Sequence, residues 1–263
     1  MLRLQFKEVS RFFPPVRGRT NSEGVLAIDG VNVEVNDGEV VSLIGPSGCG
    51  KSTLLNLASG LDKPTKGQVF VDGERVNGPN EHVAFMLQKD LLLPWRSIRK
   101  NVEFGQEIRK MDAAERQERA VKFLTRYHLD GFANHFPHEL SGGMRQRAAL
   151  ARTMMMDPDV LLLDEPFSAL DAQTKMVLQQ DLARTLSDEN KTAFMITHDL
   201  VEALVLSDRV LVMSRRPGHI IEEIPVDIPG RDNPMVRRQS DKLGPMIAQL
   251  MSLLDIGREE ELV

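Results

Sequence analysis

Eight consecutive residues have the types and spacing needed to hold a chain of phosphates. The segment Gly45–Ser52 matches the phosphate-loop pattern G-x-x-x-x-G-K-[ST] in full. Its glycines let backbone N–H groups curl around phosphate oxygens, and a helix starting here adds partial positive charge. Lys51 would reach the β- and γ-phosphates, and the Ser52 hydroxyl would bind Mg2+. A chance glycine-rich turn is the alternative. The residues assigned to a nucleotide site are Gly45, Pro46, Ser47, Gly48, Cys49, Gly50, Lys51, Ser52 and Thr53.

The only cysteine of the chain, Cys49, lies inside this loop. A single cysteine excludes an intrachain disulfide, which fits a reducing compartment. The start of a helix should favour the thiolate form. We therefore expect a reagent that alkylates Cys49 to obstruct the phosphates and inhibit the protein, and bound nucleotide to protect the thiol.

Two adjacent carboxylates follow a second apolar run. Val160–Leu163 ends at Asp164 and Glu165, and the ends of strands are where α/β sheets place ligands. In phosphate-loop ATPases an aspartate in this position holds Mg2+, which is the role predicted for Asp164. Glu165 would then orient or deprotonate the attacking water. The alternative is a strand that ends in a solvated acidic turn.

A second helix start also has phosphate-binding character. Leu140–Gln146 reads Leu-Ser-Gly-Gly-Met-Arg-Gln, in which Ser141 is a good N-cap and two glycines leave backbone N–H groups accessible. One nucleotide does not obviously need two such sites from one chain. Taken alone, the segment indicates an ordinary capped helix.

The apolar pattern predicts the strands that position these residues. Alternation in Leu2–Phe6 and Val31–Val35 favours a small antiparallel sheet near the N-terminus. Fully apolar runs alternating with helical segments favour a mostly parallel sheet. The runs assigned to strands are Val40–Ile44, Val69–Asp72, Val83–Leu87, Val160–Leu163, Thr192–Thr197 and Val210–Ser214.

Two further stretches are expected to be helical. Lys89–Asp157 is mostly helical in pattern, with Val121, Leu124 and His128 on one face. The tail from Asn233 to Ile256 has the pattern of one amphipathic helix.

Composition indicates an ordinary globular protein. The 263 residues are 41% hydrophobic and 27% charged, with a formal net charge of -5. An acidic chain gives no general case for nucleic-acid binding, so no nucleic-acid partner is expected. No apolar run approaches the roughly 18 residues of a spanning helix, so any link to a membrane should go through a partner.

Taken in order, these motifs resemble the ABC ATPase family, whose signature motif is Leu-Ser-Gly-Gly. Gln88 after an apolar strand resembles the family's Q-loop, Ser168–Asp171 its D-loop and His198 its switch histidine. Phe13 falls where the family places a ring that stacks on adenine, although Phe12 competes for that role. Each also has a structural alternative: a strand-end amide for Gln88, a helix cap for His198 and core packing for Phe13.

The resemblance implies an α/β fold in a single ABC ATPase domain over residues 1–263. It implies a phosphate-loop ATPase core with a mostly parallel sheet (1–88 and 158–230) and a small N-terminal antiparallel β subdomain. An inserted α-helical signature subdomain would span 89–157, and a helical tail 231–263.

In the family, two such domains dimerise head to tail around ATP. The signature helix would then serve ATP held by a second copy, which explains the second phosphate-binding segment. The resemblance implies ATP and Mg2+ as cofactors, with Glu165 and His198 catalytic. It adds Phe13, Gln88, Ser141, Gly142, Gly143 and Asp171 to the ATP site, and Ser52, Gln88 and Asp164 as metal ligands.

Other features resemble the nitrate, sulfonate, taurine and bicarbonate importer branch. These are the run that begins at Leu92 with Leu-Leu-Pro-Trp and the Arg-Pro-Gly-His-Ile of Arg216–Ile220. The resemblance implies integral membrane permease subunits, indirectly a solute-binding protein, and a place on the cytoplasmic face of the inner membrane. Leu91–Trp95 would form a docking groove for a permease helix, with core packing as the alternative. The competing function is a soluble ABC ATPase without a membrane partner.

Overall fold

The computed structural model describes residues 1–15, 24–168 and 170–255. In chain order the described strands are β1 (Leu2–Phe13), β2 (Val25–Asn36), β3 (Val40–Ile44), β4 (Lys66–Val71), β5 (Glu74–Arg75), β6 (Val83–Met86), β7 (Val160–Asp164), β8 (Thr192–Ile196), β9 (Arg209–Met213) and β10 (Ile220–Pro225). The helices are α1 (Lys51–Ala58), α2 (Ile98–Val102), α3 (Phe104–Ile108), α4 (Ala113–Arg126), α5 (Gly142–Met154), α6 (Ala172–Asp188), α7 (Leu200–Leu206), α8 (Pro234–Arg238) and α9 (Leu243–Leu253).

The N-terminal strands form a separate antiparallel sheet. Its order is β2-β1-β4-β5, and the alternating residues Leu4, Phe6, Val31, Val33 and Val35 are buried on one face. This face packs over α1 in a shared apolar core, because a half-buried sheet needs one covered side. The small antiparallel sheet expected from the alternation is confirmed.

The central sheet has six strands in the order β10-β9-β3-β8-β7-β6. All neighbours pair in parallel except β10 with β9. Successive side chains of a strand point to opposite faces, so Val41 and Leu43 join the core with α1 while Val40 and Ile44 join the core on the other face. The mostly parallel α/β sheet is confirmed. The edge strand β10 is an element that the apolar pattern did not predict.

The middle of the chain is mostly helical, as expected. Its buried face is made by Ala120, Leu124 and Tyr127, whereas Val121 is 48% exposed. The expectation that Val121, Leu124 and His128 lie on one helical face is wrong, since Leu124 is buried and Val121 is exposed. Helix α4 ends before His128, which has a positive φ of 56°, so the helical spacing does not extend that far.

The C-terminal part forms two helices, α8 and α9, instead of the single helix expected over Asn233–Ile256; Ile256 lies outside the described residues. Pro245 lacks a backbone N–H and clashes with the preceding turn, so it is tolerated only near the start of a helix. Helix α9 begins at Leu243, which places Pro245 in its first turn. Among the described helices, none is both long and apolar enough to cross a membrane.

Candidate functional site

The phosphate loop lies between β3 and α1, at the carboxyl end of a central parallel strand. Gly48 and Gly50 have φ values of 74° and 111°, which favour glycine. A Cβ at Gly50 would lie 2.5 Å from Cγ2 of Ile28, so the loop closely approaches β2. Lys51 Nζ donates to the carbonyl oxygens of Gly45 and Pro46 at 2.8 and 2.9 Å. The ammonium is therefore folded back over the loop.

A cavity of about 490 Å³ opens beside this loop. The ring of Phe13 lines it, together with apolar side chains of β2, whereas the ring of Phe12 lies against Gly24. Of the two competing aromatics, only Phe13 therefore faces the phosphate loop. The lining residues are Phe13, Val25, Ala27, Ser47, Gly48, Gly50, Lys51, Ser52, Thr53, Glu165 and Arg216.

A second cavity of about 670 Å³ adjoins the first, and Ser47 and Arg216 line both. Gly45, Pro46 and His198 line only this second cavity. Of the predicted loop residues, Gly45 and Pro46 therefore line only the second cavity, whereas Gly48 and Gly50–Thr53 line only the first.

The side chain of Cys49 lines neither cavity. It is 0% exposed and belongs to the apolar core shared by β3, α1 and the N-terminal sheet. The expectation that an alkylating reagent reaches this thiol is wrong for the folded protein. Cys49 can offer a phosphate only its backbone N–H, which in this structure bonds the carbonyl oxygen of Pro46 at 3.4 Å.

Asp164 and Ser52 converge next to the loop. Ser52 Oγ donates to Asp164 Oδ1 at 3.3 Å, and Asp164 is 8% exposed. Burial raises the pKa of Asp164 above its ordinary value, against a lowering by the Ser52 hydroxyl. A bound cation would favour the ionised carboxylate. A hydroxyl and a carboxylate are the hard oxygen donors that Mg2+ prefers, so these two residues fit that ion.

Side chains that follow three neighbouring strands come together at Glu165. It follows β7, while Gln88 follows β6 and His198 follows β8. The carboxylate oxygen Glu165 Oε2 lies 3.0 Å from Gln88 Nε2 and 3.2 Å from His198 Nδ1. Because parallel strands end at one edge of a sheet, residues that are distant in sequence come together here.

The signature segment does not line either cavity in its own chain. Ser141 and Gly142 are exposed, and the Ser141 side chain accepts from the backbone N–H of Met144 at 3.3 Å as the N-cap of α5. Gly143 is half-buried beside Leu170. One chain therefore presents this helix start outward and separate from its own phosphate loop.

Asp171 also lies outside both cavities. It is exposed and is the N-cap of α6, accepting from the backbone N–H of Thr174 at 2.9 Å. Of the segment Ser168–Asp171, Ala169 lies outside the described residues.

Arg216 is a site residue that sequence reasoning did not assign. It follows β9, and its Nε and Nη2 donate to the carbonyl oxygen of Gly48 at 3.0 and 2.7 Å. Sequence spacing gives no signal for this contact, because 168 residues separate the two positions. The signal is topological: β9 pairs with β3, so the loops that follow them are neighbours.

Known proteins resemble this chain over most of its length. The family model described as ABC transporter matches residues 28–168. The nitrate import ATP-binding protein NrtD of Synechocystis sp. is 40% identical over 265 residues, covering 99% of this chain and 97% of that protein. The taurine import ATP-binding protein TauB of Yersinia pestis bv. Antiqua is 39% identical over 239 residues, covering 86% and 94%. An uncharacterised ABC transporter ATP-binding protein of Methanocaldococcus jannaschii is 47% identical over 208 residues, covering 79% and 78%.

A solved structure supports the same relationship. It is a dimeric, post-hydrolysis state of an ATP-binding cassette bound to ADP and Pi, with 32% sequence identity and a TM-score of 0.76. The match covers 85% of this chain and 98% of that chain. With the phosphate loop and the strand-end carboxylates already in place, these relatives establish that the chain belongs to the ABC transporter family, as an ATP-binding subunit that hydrolyses ATP.

Proposed function

We propose that this subunit powers a binding-protein-dependent importer for a small solute such as nitrate, a sulfonate, taurine or bicarbonate. The observation that carries the catalytic part is the convergence of Gln88, Glu165 and His198 beside a complete phosphate loop. The importer part is supported by the nitrate and taurine import relatives, which match most of the chain.

The ATP site is assigned to the whole loop from Gly45 to Thr53. Backbone N–H groups of the loop and the start of α1 hold the phosphates, and Lys51 neutralises charge between the β- and γ-phosphates. Phe13 stacks on adenine from the cavity wall. Ser52, Asp164 and Gln88 would hold Mg2+, which would supply positive charge to the phosphate oxygens.

Glu165 is assigned as the general base. Its carboxylate is only 21% exposed, at the rim of the nucleotide cavity, and its oxygen is already held by two neighbouring side chains. A held carboxylate can accept a proton from water in a fixed geometry. His198 would contact the γ-phosphate, and Gln88 would help to hold the metal and to orient the water.

A second copy completes the site. Ser141, Gly142 and Gly143 lie at a helix start that faces away from the chain's own cavity, so a head-to-tail partner can present them to the γ-phosphate. Asp171, at the exposed start of α6, lies on the same dimer contact. The similar cassette structure is a dimer, which supports this arrangement.

The permease contact is assigned to Leu91–Trp95. Trp95 is 72% exposed and Leu91 53% exposed, while Leu92 is buried. The core-packing alternative is therefore wrong for Trp95, and an exposed aromatic suits an interface anchor. Arg152 on α5 donates to the carbonyl oxygens of Asp90 and Leu91 at 2.7 and 2.8 Å, so this segment is fixed to the signature helix. The subunit is placed on the cytoplasmic face of the inner membrane through the permease.

The domain boundaries are proposed as residues 1–88 and 158–230 for the ATP-binding core, 89–157 for the helical signature subdomain and 231–263 for the tail. The competing proposal is a soluble ABC ATPase with no membrane partner. Co-purification from native membranes separates them: an integral membrane protein retained with the subunit supports the transporter, and its consistent absence supports the soluble ATPase.

The nucleotide assignment is tested with Lys51→Ala. We expect ATP turnover to fall to background and ATP affinity to fall at least about tenfold, since the variant loses a charge-assisted contact to the phosphates. The matched control is Lys63→Ala, an exposed lysine that lies outside the cavity lining, which should behave as wild type. Wild-type turnover by a folded Lys51→Ala protein would disprove the assignment.

A further inference from the structure

The turn between β9 and β10 brings a second cation to the phosphate loop. Arg216 donates two hydrogen bonds, from Nε and Nη2, to the single carbonyl oxygen of Gly48. The same side chain lines the nucleotide cavity and the neighbouring cavity that contains His198. It therefore lies on the side of the loop shared by the two openings.

The contact fixes the peptide group at the apex of the loop. The Gly48–Cys49 peptide is held at its oxygen by Arg216 and at its N–H by the carbonyl oxygen of Pro46, at 3.4 Å. A Cβ at Gly48 would lie 3.2 Å from Arg216 Nη2, and Gly48 has a φ of 74°. The loop and the guanidinium are thus fitted closely to each other.

The guanidinium also keeps a donor available. Nε and Nη2 are used on Gly48, and Nη1 makes no hydrogen bond to any residue within 1–15, 24–168 and 170–255. A guanidinium carries five N–H donors in a planar fork that matches phosphate oxygens. Lys51, by contrast, donates to the carbonyl oxygens of Gly45 and Pro46. The loop is therefore approached by cations from two distant parts of the chain.

From this geometry we propose that Arg216 is a direct ligand of the nucleotide's phosphate chain, in addition to Lys51, and sets the preference for ATP and ADP over AMP. The inference rests on the proposed nucleotide site. The end assigned to adenine is lined by Phe13, Val25 and Ala27, whereas Arg216, like Ser47, also lines the cavity of His198. The guanidinium therefore serves the β- and γ-phosphates.

The test compares Arg216→Gln and Arg216→Lys with the wild type, by calorimetric titration with ATP, ADP and AMP. Glutamine can still donate to the Gly48 carbonyl but lacks the charge, whereas lysine keeps the charge. We expect Arg216→Gln to weaken ATP binding about tenfold or more and AMP binding less than about twofold. Arg216→Lys should stay within about threefold of wild type for ATP.

An exposed arginine of β5, Arg75, provides the control. Arg75 lines neither cavity, so Arg75→Gln makes the same change in net charge and should alter ATP affinity less than about twofold. Equal losses in the Arg75 and Arg216 variants would overturn the proposal, because the loss would then follow from net charge alone. The proposal would also be overturned if Arg216→Gln and Arg216→Lys lost ATP affinity equally, or if Arg216→Gln lost affinity equally for ATP, ADP and AMP. Either result would show that Arg216 only stabilises the conformation of the loop.

Two comparisons keep the result decisive. If Arg216→Gln does not fold in a thermal melt, Arg216→Lys decides, and a tenfold loss of ATP affinity there overturns the proposal. The wild type and Lys51→Ala are titrated alongside. A wild type that fails to bind ATP refutes the proposed function. A wild type that binds, a Lys51 variant that does not and an Arg216→Gln protein indistinguishable from wild type refute only this inference.

Discussion

Glu165 occupies a backbone position that few glutamates adopt. Its φ of 48° lies in the left-handed region, which costs a non-glycine residue of order 1 kcal/mol or more. The turn is held by Glu165 itself, whose N–H donates to Ile196 and whose carbonyl oxygen accepts from Ser168. The strained turn directs the side chain to Gln88 and His198, so its conformation is part of the site.

At this scale the first prediction concerns Glu165→Gln. Glutamine keeps the size of the side chain and one hydrogen-bond acceptor but cannot take a proton from water. We expect ATP turnover to fall about 10²–10⁴-fold, while ATP affinity stays near wild type because Lys51, Ser52 and Asp164 are unchanged. Phosphate release and equilibrium binding measure the two quantities separately.

Glu222→Gln is the control, since this glutamate is exposed on the edge strand β10, away from both cavities. It should turn over ATP at the wild-type rate. Turnover by Glu165→Gln at the rate of this control would show that another group accepts the proton.

Residues of the site differ in whether their position is predictable from the sequence. The phosphate loop and the strand-end carboxylates are predictable from sequence because their chemistry depends on local spacing. The role of the signature serine is implied only by the family resemblance, since its segment alone indicates an ordinary capped helix. The burial of Cys49 could not be found from local spacing, because it depends on the N-terminal sheet covering α1. Arg216 was missed for the related reason that its partner, Gly48, is adjacent only through the pairing of β9 with β3.

Among the helices, a buried carboxylate joins three elements of the signature region. Glu103 lies between α2 and α3, has a side chain only 1% exposed, and pairs with Arg99, Lys100 and Arg116. Burial raises its pKa, but the hydrogen bond and charge of Lys100, together with Arg99, outweigh burial and hold the pKa below the ordinary value of 4.5. The ionised carboxylate therefore stabilises the way these helices pack.

We predict that Glu103→Gln lowers the free energy of unfolding by about 2 kcal/mol at neutral pH, since three cations lose their partner. Because the folded pKa lies below the unfolded one, this stabilisation is present above about pH 4.5 and is lost as the pH falls through the folded pKa. The difference between wild type and variant should thus shrink in acid. Urea unfolding at several pH values measures it.

The matched control is Glu118→Gln on α4. Glu118 pairs with Lys122 in solvent, with side chains 69% and 70% exposed, and exposed pairs contribute little. The urea concentration at the midpoint of unfolding should be the same for Glu118→Gln as for the wild type. A Glu103 variant that is as stable as this control at neutral pH would rule out the buried cluster as a source of stability.

Element boundaries are predictable from sequence where a single apolar pattern is uninterrupted. They are not predictable where charged residues or a proline interrupt that pattern. The buried strands β3, β7 and β8 stand out as apolar runs. The edge strand β10 does not, because Glu222 and Glu223 are exposed within it and a proline ends it. In the tail, the apolar pattern indicated one helix, but Pro245 required a new helix start at Leu243.

For the whole molecule, assembly is tested by Trp95→Ala. If Leu91–Trp95 docks a permease helix, loss of the exposed indole should weaken association with the membrane subunits by about 2 kcal/mol or more. ATP binding by the isolated subunit should not change, because Trp95 is outside the cavity lining. Retention of the permease on the tagged subunit in detergent measures the association.

Leu61→Ala is the comparison, since Leu61 is similarly exposed (61%) but follows α1 in the ATP-binding core. It should retain the permease as wild type does. If the Trp95 and Leu61 variants retained the permease equally, the docking surface would not include Trp95. Destabilisation of the isolated Trp95 variant would instead assign the indole to the fold.

The order of strands in the central sheet has a consequence for synthesis. The loop Gly45–Ser52 is made early, but β3, which leads into it, has β8 and β9 as its only partners within the described part of the chain. A nascent chain that ends before Thr192 therefore contains the whole motif without either strand that supports it. Such long-range pairing forms late, and ATP stabilises only a state that can bind it. During synthesis, ATP can therefore stabilise the completed sheet but cannot promote the pairing of its strands.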